Sequence, residues 1–455
     1  MGPGVYHFLF LCAIIPVYDS RLIPGDSAMK DNIPENDDQS AVLLPDSEPS
    51  ENAEENAAVP AEENAEENAV VPAEENTAVS EVPPADLKRE KRQQRALRIK
   101  SFLQDESVQQ VGRILGAGMI QIGGSIAYEK LFSRYERPDY AVTPGLRCYD
   151  RIAERLPRKC FSFPSDNISC AGYYYPAESP KGLIAFAHGL HTGADDYLSI
   201  FEFFVRHGYS IIAFDGKGTY DSKGNSTVGL SEALVELDHL IDLIEEDPAF
   251  NALPLFTVGH SCGGFAASAV LSLHPNIRAA MTISAMNDAN TLITGKGFIY
   301  TSILGLPETK MTSAFLNETQ KNLFGSYTEL NGAAAINSVS CPVLIAHGIK
   351  DMVVEYPSPV SLIFHKNEIR SENVTYYTGT GNRGSHDTVW RSSEAVDYQE
   401  QVKKELELLR KKKGKSFTPE DEAAFVSGID HDLYSAINTE LFEMAVRMFD
   451  QACTD

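Results

Sequence analysis

The chain lacks the cysteine spacing that would indicate a metal centre or a disulfide scaffold. Only seven cysteines occur in 455 residues, and no pair of them forms a C-x-x-C motif. A zinc ribbon or a dithiol redox centre therefore has no support in the sequence, and the cysteine density is too low for a disulfide-stabilised fold. We expect neither a metal ion nor an organic cofactor.

Basic residues are missing from a long stretch near the amino terminus. Residues 31–86 carry seventeen Asp and Glu and no Lys or Arg, within a chain whose formal net charge is −25. The unit Ala-Glu-Glu-Asn recurs there, and aromatic residues are few. Such a segment buries too little apolar surface to offset chain entropy, so we predict a disordered acidic repeat region over 20–87. The acidic balance also argues against nucleic acid as a partner.

The chain has no hydrophobic run long enough for a membrane span. The longest apolar run near the amino terminus, Val5–Tyr18, contains fourteen residues, whereas a spanning helix needs about twenty. We treat residues 1–19 as an apolar segment and a candidate signal peptide, although no Lys or Arg precedes it and no A-x-A-like cleavage site follows. The sequence does not choose between a secreted and a cytoplasmic protein.

Residues 88–157 are predicted to form a helical extension. Lys88–Lys100 contains seven basic residues and one Glu, and a weakly apolar stretch interrupted by glycines follows it. This pattern is compatible with peripheral contact of residues 88–132 with a membrane surface, or with packing against the next domain. Apolar residues at helical spacing also predict a helical tail over 413–455, which packs on the domain or on a second subunit. The oligomeric state is not defined by these patterns.

Between residues 158 and 412, short apolar runs alternate with amphipathic helical stretches. Two early strands joined by a tight turn, followed by strand–helix units, predict an α/β fold with an open, mostly parallel sheet. We expect a short helical cap at about 285–340. Ligands of such sheets bind at the carboxyl ends of the strands. The predicted strands are Cys160–Phe163, Ile168–Tyr175, Leu183–Ala187, Ser210–Phe214, Leu255–Val258, Ala279–Ser284, Pro342–Ala346 and Val374–Thr378.

A G-x-S-x-G motif lies between a predicted buried strand and a predicted helix. It reads Gly259-His-Ser261-Cys-Gly263. A sharp strand-to-helix turn exposes the serine hydroxyl at the amino end of the helix, where backbone N–H groups favour developing negative charge. Glycines two positions before and after let the chain pass close by. The motif in this context predicts that Ser261 is a nucleophile.

The serine needs a base and an acid, and this architecture supplies them in the chain order Ser, acid, His. Asp351 follows a predicted strand and is the favoured acid, with Asp288 as a substitute. His386 lies in a later glycine-rich loop and is the best candidate for the base. Most other histidines precede Asp351, His365 lies in a helix predicted over Pro357–Lys366, and His431 lies in the helical tail. Asp387 is too close in sequence to His386 to orient it well.

The residues after two strand ends predict an oxyanion hole. The backbone N–H groups of Leu190 and Cys262 can converge on one oxygen, as a tetrahedral intermediate requires. His188 and the Cys262 side chain are then structural. A catalytic Cys262 thiol is the rival interpretation, although a thiol on the first helical turn would face away from the tip of the turn.

Together these residues resemble the α/β-hydrolase superfamily. His188-Gly189, the G-x-S-x-G motif, Asp351 and His386 fall in that family's order and spacing over residues 158–412, and the likeness extends to its lysophospholipase, monoacylglycerol-lipase and serine-aminopeptidase branch. The resemblance implies the same Ser-His-Asp triad, with the Leu190 and Cys262 amides as oxyanion hole. The first 157 residues and the tail find no counterpart in it.

The leading functional hypothesis is a serine hydrolase that cleaves a carboxylic ester through an acyl-enzyme. Many apolar residues in the predicted cap suit a lipid or another hydrophobic acyl substrate, but they serve equally well to pack the cap on the sheet. The alternatives are amide or peptide hydrolysis at the same triad, and a non-catalytic scaffold that keeps the fold and binds partners through its acidic repeats. The sequence names neither the acyl group nor the leaving group.

Overall fold

The computed structural model describes residues 128–295, 310–370 and 372–454, together with a few positions between 118 and 126. The apolar segment 1–19, the acidic repeats of 20–87 and most of the predicted membrane-contact region 88–132 lie outside the described residues. Within the described part, no helix is both long and apolar enough to cross a membrane.

The core of the fold is an eight-stranded sheet. Its strand order is β1-β2-β4-β3-β5-β6-β7-β8. The pairs β1–β2 and β2–β4 are antiparallel and every other pair is parallel, which confirms the predicted mostly parallel sheet. The strands are β1 Lys159–Ser165, β2 Ile168–Tyr175, β3 Gly182–Ala187, β4 Tyr209–Asp215, β5 Leu255–His260, β6 Ala279–Ile283, β7 Val343–Gly348 and β8 Val374–Gly379.

Helices cover both faces of this sheet. Strands β3 to β7 are almost continuously apolar because both of their faces are buried. The helices are α1 Leu198–Arg206, α2 Glu232–Glu246, α3 Cys262–Ala269, α4 Ala289–Gly295, α5 Lys310–Phe324, α6 Gly332–Asn337, α7 Ser393–Lys413, α8 Pro419–Ser427, α9 His431–Ser435 and α10 Thr439–Ala452.

The two faces have separate apolar cores. Leu237 of α2, Phe265 of α3 and Ile336 of α6 belong to the core on one face. Phe204 of α1 and Phe449 of α10 belong to the core on the other, where their rings stack with centroids 5.9 Å apart. The predicted helical tail therefore packs on the domain through α10.

One local prediction differs from the structure. A helix was expected over Pro357–Lys366, but the described chain forms a short 3-10 helix at Leu362–Asn367. Pro357 and Pro359 lack the N–H group that a helix interior requires, so helical structure begins only beyond them. The predicted helical tail contains three helices, since the Asp430 and Asn438 side chains cap new helix starts.

Candidate active site

Ser261 occupies the sharp turn between β5 and α3. Its φ of 59° is rare for a residue with a side chain and marks a strained backbone. Two glycines make the turn possible, because a Cβ atom on Gly259 would overlap the carbonyl of Gly263, and one on Gly263 would overlap the carbonyl of Ala187. The turn places Ser261 at the N-cap of α3, where the helix dipole favours negative charge.

The structure joins His386 to Asp351. The His386 Nδ1 atom lies 2.7 Å from Asp351 Oδ2. The other carboxylate oxygen accepts hydrogen bonds from the backbone N–H groups of Val353, at 2.9 Å, and Val354, at 2.8 Å. Burial favours the neutral acid, but hydrogen bonds from His347 and His386 hold the pKa of Asp351 well below its ordinary value. The carboxylate is therefore charged where it faces the imidazole.

The Asp351 carboxylate also sets the titration of His386. Burial of this imidazole favours its neutral form, but the hydrogen bond and the charge of Asp351 raise the His386 pKa above its ordinary value. The carboxylate can only accept a hydrogen bond, so His386 Nδ1 carries a proton and donates a hydrogen bond to Asp351. The Nε2 atom is then the position at which the ring can take up a proton from another group.

Neighbouring residues at the end of β6 connect the Ser261 turn to the His386 loop. The Ser261 N–H donates to the Ile283 carbonyl at 2.9 Å. The next residue, Ser284, donates from its hydroxyl to the His386 carbonyl, also at 2.9 Å. The His260 Nε2 atom lies 3.3 Å from that same carbonyl. The nucleophile turn and the histidine loop are thus fixed to one edge of the sheet.

The loop after β3 presents a peptide plane of fixed orientation. The Gly189 carbonyl accepts hydrogen bonds from His188 Nδ1 and from the Thr192 hydroxyl, each at 2.7 Å. A trans peptide is planar, so the Leu190 N–H points to the side opposite that carbonyl. His188 is itself held because its Nε2 accepts the Gly216 N–H at 2.8 Å. The His188 side chain is structural here, as predicted.

The Cys262 side chain is buried beneath the turn. Its thiol lies 3.8 Å from the His188 carbonyl. Burial raises the pKa of the thiol to about 12, although the backbone groups of Gly263 and Leu190 lower it. A nucleophilic thiolate would need a lowered pKa and an exposed sulfur. The contact also shows that the Leu190 and Cys262 segments, which were predicted to form the oxyanion hole, lie side by side.

Sequence reasoning missed a buried Tyr197–His260 pair behind these segments. The Tyr197 hydroxyl lies 2.9 Å from His260 Nδ1 and accepts the Gly189 N–H at 3.1 Å. Since His260 Nε2 faces a carbonyl, Nε2 carries the proton and Nδ1 accepts from the tyrosine. Burial, followed by the charge of His386, lowers the pKa of His260 to about 4. The pair thus links the loop after β3 to the His386 loop through a neutral imidazole.

The substitute acids have other partners. Asp288 accepts the Thr291 N–H at 2.6 Å and so caps the start of α4. The Asp387 carboxylate lies 3.7 Å from His260 Nε2. Among the described residues, two groups have ligand atoms within 4.8 Å of one another, as a metal would require: His260, His386 and Asp387, and Asp242, Glu245 and His274. In the first group, both His260 nitrogens and His386 Nδ1 already have the hydrogen-bond partners described above.

One large groove lies away from the candidate catalytic residues. A groove of about 1120 Å³ lies at the opposite edge of the sheet, where Leu255, Ile277 and Pro342 precede or begin their strands. It contains none of Ser261, Asp351 and His386. We place the candidate site by its chemistry, because nucleophile, imidazole and carboxylate belong at the carboxyl ends of the strands.

The strand order and the strained serine turn are those of an α/β-hydrolase fold. Residues 178–327 match the family described as serine aminopeptidase, S33, which agrees with the branch that the resemblance indicated. No curated protein matches the chain.

Solved structures with a similar fold include esterases and a peptidase. An esterase of Pyrococcus furiosus shares 18% identity over 62% of this chain and 98% of its own, with a TM-score of 0.42. An acylaminoacyl peptidase of Pyrococcus horikoshii shares 16% identity over 59% of this chain and 44% of its own, with a TM-score of 0.40. The ferulic acid-bound Est1E of Butyrivibrio proteoclasticus shares 16% identity over 55% of this chain and 98% of its own, with a TM-score of 0.39.

Proposed function

We propose that the protein is a serine hydrolase that cleaves carboxylic esters through a Ser261–His386–Asp351 triad. The observation that carries the proposal is the hydrogen bond of 2.7 Å between His386 and a charged, buried Asp351. It lies on the sheet edge to which the strained Ser261 turn is also fixed. A serine hydroxyl is inert at neutral pH unless a base of this kind removes its proton.

In the proposed reaction, the Ser261 oxygen attacks the ester carbonyl while its proton passes to His386 Nε2. The negative charge that forms on the carbonyl oxygen is held by the Leu190 and Cys262 N–H groups. Collapse of this intermediate breaks the bond to the leaving alcohol, which takes the proton from His386. Water then attacks the acyl-enzyme by the same route and releases the acid. Asp351 stays charged throughout and stabilises the imidazolium.

An apolar acyl group is the substrate class that the surroundings favour. Leu190 is half-buried, and Leu131 and Phe315 are other half-buried apolar residues that pack against the same core. Leu316 and Phe324 are fully buried and build the cap itself. The cap residues of 296–309, which contribute much of the predicted apolar lid, lie outside the described residues.

Amide hydrolysis is the second candidate, and the serine aminopeptidase description of the matched family favours it. An aminopeptidase needs an acidic group to hold the substrate amine. Glu318 of α5 and Glu329 beyond it are exposed acids of the described cap. The same triad would serve either reaction, so substrate preference rather than the triad separates them.

The test compares full-length wild type with Ser261→Ala on p-nitrophenyl esters of increasing chain length and on aminoacyl p-nitroanilides. We expect ester turnover that rises with acyl length and falls by at least ~1,000-fold in the variant, because the nucleophile is gone. Ser272→Ala is the matched control, since its exposed hydroxyl only bonds the Ala269 carbonyl at 2.8 Å.

The outcomes separate the three hypotheses. Faster turnover of anilides than of esters would replace the ester assignment with the peptidase one. Retained activity in Ser261→Ala would remove Ser261 from the mechanism. A wild-type protein that is folded but inactive on both substrate series would favour a non-catalytic scaffold.

A further inference from the structure

A segment that precedes the sheet in sequence contacts the loops that follow β3 and β4. We name residues 128–137 the strap. Its first four residues, 128–131, are the end of a helix. Tyr135 exchanges backbone hydrogen bonds with the loop after β4, donating to the Gly218 carbonyl at 2.8 Å and accepting from the Tyr220 N–H at 3.0 Å. The strap is therefore joined to that loop by isolated β-bridges.

Arg134 fastens the strap further. Its guanidinium donates to the Ser222 carbonyl at 2.8 Å and to the Gly224 carbonyl at 3.0 Å. It also contacts the Tyr220 carbonyl and the carboxylate of Glu136. Because one planar guanidinium satisfies several carbonyls of the loop after β4, the strap and that loop form one unit.

The strap then contacts the loop that carries Leu190. His191 Nε2 lies 3.1 Å from the Leu131 carbonyl, and its ring packs against Tyr135 with centroids 5.4 Å apart. A carbonyl can only accept, so the imidazole donates from Nε2. His191 has a φ of 56°, which costs energy in a residue that has a side chain. A contact from outside the loop therefore helps to hold this strained residue in place.

The contact between His191 and the strap affects Leu190, because the two residues are adjacent in the chain. Leu190 stands between two fixed residues. Gly189 is held through its carbonyl by His188 and Thr192, and His191 is held by the strap. An oxyanion donor displaced by a fraction of an ångström loses much of its effect, because the donor must face the oxygen where charge develops. The His191 anchor adds to the support from the Gly189 carbonyl, because it limits movement of the chain on the carboxyl side of Leu190.

We infer that His191 is a positioning residue, through which the Leu131 carbonyl of the strap sets the Leu190 amide in the oxyanion hole. This inference rests on the proposed function for its catalytic consequence. It also gives the amino-terminal extension a role inside the active site, although the family match begins only at residue 178. A polypeptide that lacked the strap would keep the triad residues and lose this support.

The experiment uses His191→Met and His191→Gln in the full-length protein. The two side chains have similar length and bear the same backbone strain, but only glutamine offers an N–H near the original Nε2 position. We expect His191→Met to lower kcat for a p-nitrophenyl ester about tenfold with little change in KM, because the lost support acts on the transition state. His191→Gln should recover most of that loss.

Hydrogen exchange of the 186–198 peptide supplies a readout that does not need activity. We expect faster exchange in His191→Met than in wild type, and protection close to wild type in His191→Gln. Equal kcat and equal exchange in the two variants would overturn the inference. If wild-type turnover were absent but the exchange difference were found, the proposed function would fail while the positioning contact would stand.

Discussion

The two sides of the candidate site are held in different ways. On the Ser261 side, the geometry comes from neighbours in the chain, because Gly259 and Gly263 allow one strained turn. On the Leu190 side, the nearby His188 and Thr192 hold the Gly189 carbonyl, and further support comes from distant residues. The carbonyl of Leu131 is 60 positions from His191, and Tyr197 is 63 positions from His260.

This difference shows which part of an active site a sequence can reveal. A local turn leaves a motif, since its steric demands select glycines at fixed spacing. A support that arrives from a distant segment leaves no pattern, because a backbone carbonyl such as that of Leu131 is present in every residue. The strap was therefore predicted only as helical extension, without its contacts to the site.

The largest expected effect is on the side that the motif reveals. Asp351→Asn should lower kcat by about 10³- to 10⁴-fold, because the imidazole loses both its orientation and its charge partner. The residual activity should change its pH dependence as well. Wild-type activity needs neutral His386, whose pKa is raised, so it should increase with pH through a midpoint above about 6.5.

The direction in which the His386 pKa changes makes this prediction specific. Without the Asp351 charge, burial lowers the pKa of His386 and only the smaller influence of the Asp387 charge still raises it, so the acid limb of the pH–rate profile should move to lower pH. The checking measurement is kcat/KM between pH 5 and 9 for both proteins. An unchanged midpoint would mean that another carboxylate, such as Asp387, sets the titration.

A second change tests the steric basis of the turn. Gly263→Ala places a methyl group where the Ala187 carbonyl now lies, so we expect a loss of about 3 kcal/mol or more in the free energy of unfolding. Gly381→Ala is the matched control, because no heavy atom lies within 4 Å of its added Cβ and only its positive φ is disturbed. Urea unfolding measures both, and equal losses would contradict a steric role for Gly263.

The smallest effect concerns the other end of the strap. The Tyr128 hydroxyl accepts a hydrogen bond from the Gln320 amide of cap helix α5. Tyr128→Phe should cost about 1 kcal/mol of stability, because one buried polar partner is lost while the ring stays in place. Thermal unfolding beside Tyr376→Phe, a more exposed tyrosine, would check it. A loss of stability no larger than that of the control would mean that the hydrogen bond between Tyr128 and Gln320 does not stabilise the protein.

Much of the fold was predictable, because strands that are buried on both faces have continuous apolar runs in the sequence. The structure contains all eight predicted strands, with ends that shift by only one or two residues. The prediction of a helix over Pro357–Lys366 was wrong because it gave the apolar spacing more weight than the two prolines.

In the candidate site, Ser261, His386 and Asp351 could be selected by motif and chain order. The Tyr197–His260 pair could not, since chain order had excluded His260 as the base.

The most direct test of the central claim is to treat the full-length protein with a fluorophosphonate probe and locate the adduct by peptide mass spectrometry. The probe reacts with a serine only where a base activates it and an oxyanion hole holds the phosphonyl oxygen. The account predicts one adduct, on the peptide that contains Ser261, and its absence from Asp351→Asn and Ser261→Ala under the same exposure. An adduct on another serine, or a folded wild-type protein that remains unlabelled, would contradict it.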